Sequence, residues 1–344
     1  SPGPSARSSP IQIPGTTYTD SFGEGGGGFG AINLHQSVVK SDGTLWIWGN
    51  NGSGQLAQND RTHRSSPTQV PGTTWSIVSN SYYGTYGKKT DGTLWAWGYS
   101  GQGNLGTNFD GNISSPTQIP GTTWAEVQGG YYHSLGLKTN GTLWVWGNNS
   151  QGVLGLNQAD SVKVSSPVQI PGTTWSTISC GWYTCLATKT DGTLWTWGNG
   201  GDGKLGHSQP SNTDLSSPTQ IPGTSWSRAD GGRNQSFALR TDGTLWSWGH
   251  AGNGALGLND TAQRSSPTQI PGTSWSEIGS GSYEAHALKT DGSWWAWGTN
   301  SEGSLGQNNT VKYSSPVQVG SATDWIALSV TAKNAYAIQK DETP

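Results

Sequence analysis

Large aromatic side chains stand in this sequence where a short turn has no need of them. Tyr82-Tyr83, Tyr131-Tyr132, Trp182-Tyr183 and Tyr283 each follow a Trp-led segment, and Arg233 occupies the same place in a further copy. Tyr, Trp and Arg are the residue types in which binding energy is most often concentrated, because they present broad faces with a polar tip. The chemistry they offer is stacking and hydrogen bonding, with no bond made or broken. Tyr82, Tyr83, Tyr131, Tyr132, Trp182, Tyr183, Arg233 and Tyr283 therefore form the candidate partner-binding set, expected on one face of the molecule. The competing reading is that they only cover the ends of the structural units.

Other residues that could do chemistry are fewer. Cys180 and Cys185 flank the turn Gly181-Trp182-Tyr183-Thr184 and could face each other across a hairpin. A disulfide between them would suit an oxidising compartment, although cross-strand geometry is often unfavourable. His35 and His133 share one position of the repeat, which elsewhere holds Gly84, Thr184, Gln235, Glu284 and Asn334. Two histidines from different units do not make a metal site, so neither a metal nor a cofactor is expected. The glycine-rich stretch Gly23-Glu24-Gly25-Gly26-Gly27-Gly28 lacks the Lys-Ser/Thr ending of a phosphate loop and reads as a surface loop. The Asn/Asp-rich loops lack the carboxylate spacing of a calcium site. Without a nucleophile elbow, paired catalytic carboxylates or a triad, the chain reads as a non-enzyme.

These residues are positioned by a repeat. The stretch Asp191-Gly192-Thr193-Leu194-Trp195-Thr196-Trp197-Gly198 recurs with starts at Asp42, Asp91, Asn140, Asp242 and Asp291, at intervals of 49, 49, 51, 51 and 49 residues. A fixed period of this length signals a repeat architecture. Each unit has four short strand-like segments bounded by Gly, Pro, Asp or Asn. They are Ser-Ser-Pro-x-Gln, a Trp-led segment, a segment ending in Leu-Lys-Thr, and Leu-Trp-x-Trp-Gly. Four strands per unit follow, with Asp-Gly expected to supply two positive-φ turn positions. Strand alternation puts both Trp of Leu-Trp-x-Trp on one face and small x residues on the other, so neighbouring sheets can interlock large against small. A ring of such sheets is a β-propeller. The expected units are about 8–64, 65–113, 114–164, 165–215, 216–264, 265–313 and an incomplete 314–344, within one domain over 1–344.

The Gly-x-x-His-x-x-x-Leu-x-x-Asn-Gly stretch from Gly130 to Gly141, Trp146 to Gly155 and Pro167-x-Gln169 resemble the regulator of chromosome condensation repeat family. The resemblance covers nearly the whole chain and implies a seven-bladed propeller. It fixes little about activity. The style of the repeats is similar to bacterial or phage members. Seven Ser-Ser-Pro segments and seven aromatic-led segments face only six Leu-Trp-x-Trp strands. The closing blade should therefore be mixed, with Ile11–Ile13 joining the strands around Trp325 and Ala337. A strand from another chain is the alternative that would make the propeller part of an assembly.

Composition narrows the partners. Charged residues are 11% of the chain and the net charge is -3, which provides no basic footprint for nucleic acid. No apolar run approaches membrane-spanning length. The chain has no Met, as a processed or partial protein would. The polar, weakly charged surface suits an extracellular or virion setting. A non-enzymatic recognition or structural module, binding a protein or carbohydrate surface, is the leading expectation. A lectin, an enzyme-inhibitor protein and a guanine-nucleotide exchange factor, as in the family namesake, are the alternatives. The 20 Trp do not argue for a photoreceptor, since only Trp182 and Trp294 fall outside repeat positions.

Overall fold

Alternation within Leu-Trp-x-Trp drives the architecture seen in the computed structural model, which describes residues 18–22, 24–25, 35–209, 213–331 and 334–340. The third blade is typical. Its strands, Trp124–Gly129, His133–Lys138, Thr142–Asn148 and Lys163–Thr173, pair antiparallel in chain order. The Ser-Ser-Pro strand thus pairs with the Leu-Trp-x-Trp strand before it, so each blade runs from one Trp-led strand through the next Ser-Ser-Pro strand.

Six four-strand blades are complete among the described residues, and a seventh sheet has two strands, Trp325–Val330 and Ala335–Gln339. Seven blades were expected, the last of them incomplete; six are complete and the closing one has two described strands. Ile11–Ile13, expected to close the blade, lies outside the described residues. The two-stranded sheet is nevertheless docked. Trp325–Val330 touches Trp275–Ser280 of the sixth blade and Tyr18–Phe22 of the first. Each remaining Trp-led strand also touches the next, so these strands line the inside of the ring. The glycine-rich stretch behaves differently from a plain surface loop where it is described. Glu24–Gly25 pairs in parallel with Ser79–Asn80 on the inner edge of the second blade.

The Trp pair divides its work. The second Trp of each pair in blades two to six is fully buried, and its indole N–H reaches into the preceding blade. Trp97 donates to the Gln55 carbonyl (2.7 Å), Trp146 to Asn104 (2.8 Å), Trp197 to Val153 (2.9 Å), Trp248 to Lys204 (2.8 Å) and Trp297 to Ala255 (3.1 Å). Each seam is thereby both apolar and directional. The first Trp of the pair is only half-buried, as at Trp95, so of the two Trp expected on the interlocking face only the second is sealed within it. Trp95 ends near the hairpin tip, where its N–H donates to Thr93 Oγ1 (2.9 Å) and Lys89 Nζ lies over its ring (4.3 Å). The same ammonium also covers Trp75 (5.1 Å), and the arrangement recurs in blades three to six with Lys138, Lys189, Arg240 and Lys289.

The Asp-Gly hairpin also differs from the expected pair of positive-φ residues. Only the glycine is left-handed, as at Gly92 (φ 79°). Gly92 N–H donates to Lys89 O and Lys89 N–H to Thr93 O, which is a type I turn followed by a glycine bulge. Asp91 instead accepts from the Thr93 N–H (2.9 Å) and hydroxyl (2.7 Å), and these bonds hold its carboxyl below the usual carboxylate range.

Candidate functional site

Antiparallel strands alternate direction. The turns between first and second strands therefore leave the ring on the same face as the loops after each Trp-x-Trp strand, and the Asp-Gly hairpins leave on the other. The aromatic turns occupy the first of these faces. A turn there needs only two central residues, such as Tyr131-Tyr132 within the turn Gly130 to His133 that joins Trp124–Gly129 to His133–Lys138. It is closed by Gly130 N–H donating to His133 O (2.9 Å), which leaves both side chains free to project.

The eight candidate residues form one continuous chain of ring contacts across blades two to six. Tyr82 meets Tyr131 (centroids 4.9 Å), and Tyr83 stacks on Tyr132 (5.4 Å, 6° between planes). Tyr131 meets Trp182 (5.0 Å) and Tyr183 (5.4 Å). The Arg233 guanidinium lies 4.2 Å over Trp182 and 5.5 Å from Tyr283. All eight are half-buried, so they are neither sealed under loops nor isolated on the surface. Burial pushes the phenols of Tyr132 and Tyr183 up to about 12, which keeps them neutral hydrogen-bonding groups. An arc of stacked rings with one cation offers flat apolar area, hydroxyl tips and cation–π attraction in one strip.

Two residues of this strip were missed from sequence. Tyr99 meets Tyr83 (5.3 Å) and His250 meets Tyr283 (5.7 Å). Both directly follow a Trp-x-Trp-Gly segment, at a position that varies between units as the turns do. That variability was the available signal. Ala332-Lys333 and most of the glycine-rich stretch lie outside the described residues.

Directly under the arc, the structure gathers three residues that the sequence kept apart. Cys180 and Cys185 are register partners across the hairpin, as a disulfide between them would require, and both are free thiols in this structure. Their sulfurs engage backbone carbonyls on the preceding blade, Cys180 with Gln128 (3.4 Å) and Cys185 with Val153 (3.3 Å). His133 of that blade completes the group. One ligating atom from each of the three residues lies within 4.8 Å of the others, and all three side chains are buried. The two thiols are coupled: burial holds Cys185 high, while against its own desolvation Cys180 is drawn down by the Cys185 thiol. His35, the other histidine at this repeat position, is spent on a hydrogen bond to Thr85 Oγ1 (2.7 Å).

Comparison with known proteins agrees with this architecture. Residues 29–341 match the family model described as the RCC1-like domain. A segment of 108 residues is 34% identical to human probable E3 ubiquitin-protein ligase HERC3, covering 30% of this chain and 10% of that protein. A segment of the same length is 33% identical to the mitochondrial RCC1 domain-containing protein RUG3 of Arabidopsis thaliana, covering 29% of this chain and 24% of that protein. The match thus spans a quarter or less of each relative. The crystal structure of human WBSCR16 superposes with a TM-score of 0.85 at 21% identity, covering 100% of this chain and 94% of that one. Yeast RCC1 (Prp20), solved bound to Kap60, superposes with a TM-score of 0.80 at 18% identity, covering 94% and 80%. At such identities the structural likeness shows the fold alone, but the family match extends over nearly the whole chain: this protein belongs to the family of RCC1-like domains.

Proposed function

We propose that the protein is a non-catalytic recognition module that binds a partner protein through the aromatic arc. The observation that carries this reading is the continuity of Tyr82, Tyr83, Tyr131, Tyr132, Trp182, Tyr183, Arg233 and Tyr283, half-exposed on one face of a rigid ring. The inter-blade Trp bonds are made by other residues, such as Trp97 and Trp146. Protein binding among relatives supports the choice of partner: yeast RCC1 was solved with Kap60, and the yeast Prp20p structure is described with its binding to Gsp1p and histones. The weakly charged surface supports an extracellular or particle-surface setting. The closing blade is read as seventh and mixed, with Ile11–Ile13 beside Ala335–Gln339.

The test compares the wild-type chain with a variant carrying Y82A, Y131A, W182A and R233A. Both are immobilised and offered proteins from the native source, a glycan array and a small GTPase loaded with guanine nucleotide. A protein retained by the wild type and released by the variant supports the reading. Arc-dependent glycan binding would replace it with a lectin. Arc-independent acceleration of nucleotide release would replace it with an exchange factor.

A further inference from the structure

The seam between the third and fourth blades departs from the other seams in its chemistry. At the seam between blades one and two, the position of Cys185 is Thr85, whose hydroxyl satisfies His35, and the position of Cys180 is Asn80, which donates to the His35 carbonyl (3.4 Å). In the fourth blade both positions carry thiols. The histidine facing them is then left without that hydroxyl. His133 is 1% exposed, and neither ring nitrogen has a hydrogen-bond partner. A buried imidazole with two orphaned nitrogens is costly, and native structures rarely tolerate it without a reason. Its ring lies over Gly130, in space that any β-carbon there would fill, so the absence of a side chain at Gly130 makes room for the imidazole beside the thiols.

We propose that His133, Cys180 and Cys185 form a binding site for one thiophilic metal ion, monovalent copper or zinc. Two sulfurs and an imidazole nitrogen are the donor set that soft and borderline cations select over calcium or magnesium, which take oxygen. The donor atoms already lie within 4.8 Å of one another. Metal–sulfur and metal–nitrogen distances of about 2.3 and 2.0 Å would require them to close in by about 1 Å. That is within reach of side-chain rotation in a cluster with no competing hydrogen bond on the histidine. Among the described residues no fourth His, Cys, Asp or Glu joins the group. Three donors suffice for monovalent copper. Zinc would take its fourth ligand from water or from a nearby carbonyl such as Gln128 or Val153. On binding, the thiol protons leave to solvent and the imidazole ligates in its neutral form.

The consequence is mechanical as well as chemical. His133 directly follows Tyr132, and Cys180 and Cys185 bracket Trp182 and Tyr183. An ion here would staple blade three to blade four immediately beneath the middle of the aromatic arc. The proposal does not depend on what the arc binds.

The other blades supply substitutions that the fold already accepts. Ser134 and Ser236 stand where Cys185 stands, Ser280 where Cys180 stands, and Gln235 where His133 stands. The test therefore uses the full chain, reduced and anaerobic, with C180S, C185S and H133Q compared by circular dichroism to confirm folding. Each protein is loaded in separate arms with monovalent copper and with zinc, desalted, and assayed for bound metal. Cobalt(II) serves as a spectroscopic probe of thiolate ligation in the zinc arm. The expected result is one ion per wild-type chain in at least one arm, a thiolate-to-metal absorption band, and affinity lowered by about tenfold or more in each variant. The arm that binds identifies the ion. Retention of neither metal by the reduced, folded wild type overturns the proposal. So does equal retention by C185S and wild type.

Discussion

Trp97 and Trp182 are the same side chain put to opposite uses. Trp97 is fully buried at a seam, and its N–H is committed to the Gln55 carbonyl of the previous blade. Trp182 is half-buried on the turn face, between Tyr131 and the Arg233 guanidinium. The seam position holds Trp in every complete blade, while the turn position holds Tyr, Trp, Arg or Ser. Within one chain of near-identical units, the difference separates what the ring needs from what it can vary. A seam must fill a fixed volume and meet a fixed carbonyl, whereas a turn must only close.

The largest effect should come from the seam. W97A removes a fully buried indole and its inter-blade bond, and should cost about 3–5 kcal/mol of unfolding free energy in denaturant titrations. A cost below about 1 kcal/mol on that scale would place Trp97 with the turn aromatics and erase the comparison.

Next in size is a pH effect at the sixth blade. His286 is buried, its Nδ1 accepts from Trp294 Nε1 (3.2 Å), and burial drives its pKa from 6.5 down to about 3. The folded state needs the neutral ring, while the unfolded chain takes up a proton below 6.5. Its contribution to stability is therefore complete above 6.5 and is lost as pH falls toward 3, by up to about 1.4 kcal/mol per pH unit. H286L places there the residue that Leu135 and Leu186 provide in other blades. The gap between wild type and H286L should narrow or reverse on acidification, and a gap independent of pH would refute the assignment.

A smaller effect is expected at the second seam. Tyr86 Oη donates to the Asn104 carbonyl (2.5 Å), which Trp146 also serves, and Phe237 fills the equivalent place in blade five. Y86F should cost about 1 kcal/mol, measured by denaturant midpoint at unchanged slope.

The smallest stability change should come from the face. W182A removes a ring held by exposed stacking and one cation–π contact, and should cost about 1 kcal/mol or less while abolishing arc-dependent binding. A large loss of stability without any loss of binding would show that Trp182 belongs to the structural class.

How much was legible in the sequence follows the same division. The period of Leu-Trp-x-Trp and the two-residue strand alternation determined an all-β ring, four strands to a blade, and the side of each strand that packs. These are local properties, repeated until chance is excluded. The sequence also placed Tyr82 to Tyr283 on matching turns, and identical turn positions in a ring must share a face. It did not determine that Trp95 lies half-open while Trp97 is sealed. That depends on distance from the hairpin tip and on where Lys89 folds back. Nor did it determine the turn type, since Asp-Gly serves two hairpin geometries and only backbone φ distinguishes them. Least of all could it bring His133 to Cys180 and Cys185. A histidine of one blade meets cysteines of the next, 47 and 52 residues on, only because each sheet's second strand looks across a seam at its neighbour. Contacts within a unit follow from its pattern, but contacts between units follow from the rotation that stacks one blade on another, and that rotation exists only in the closed ring.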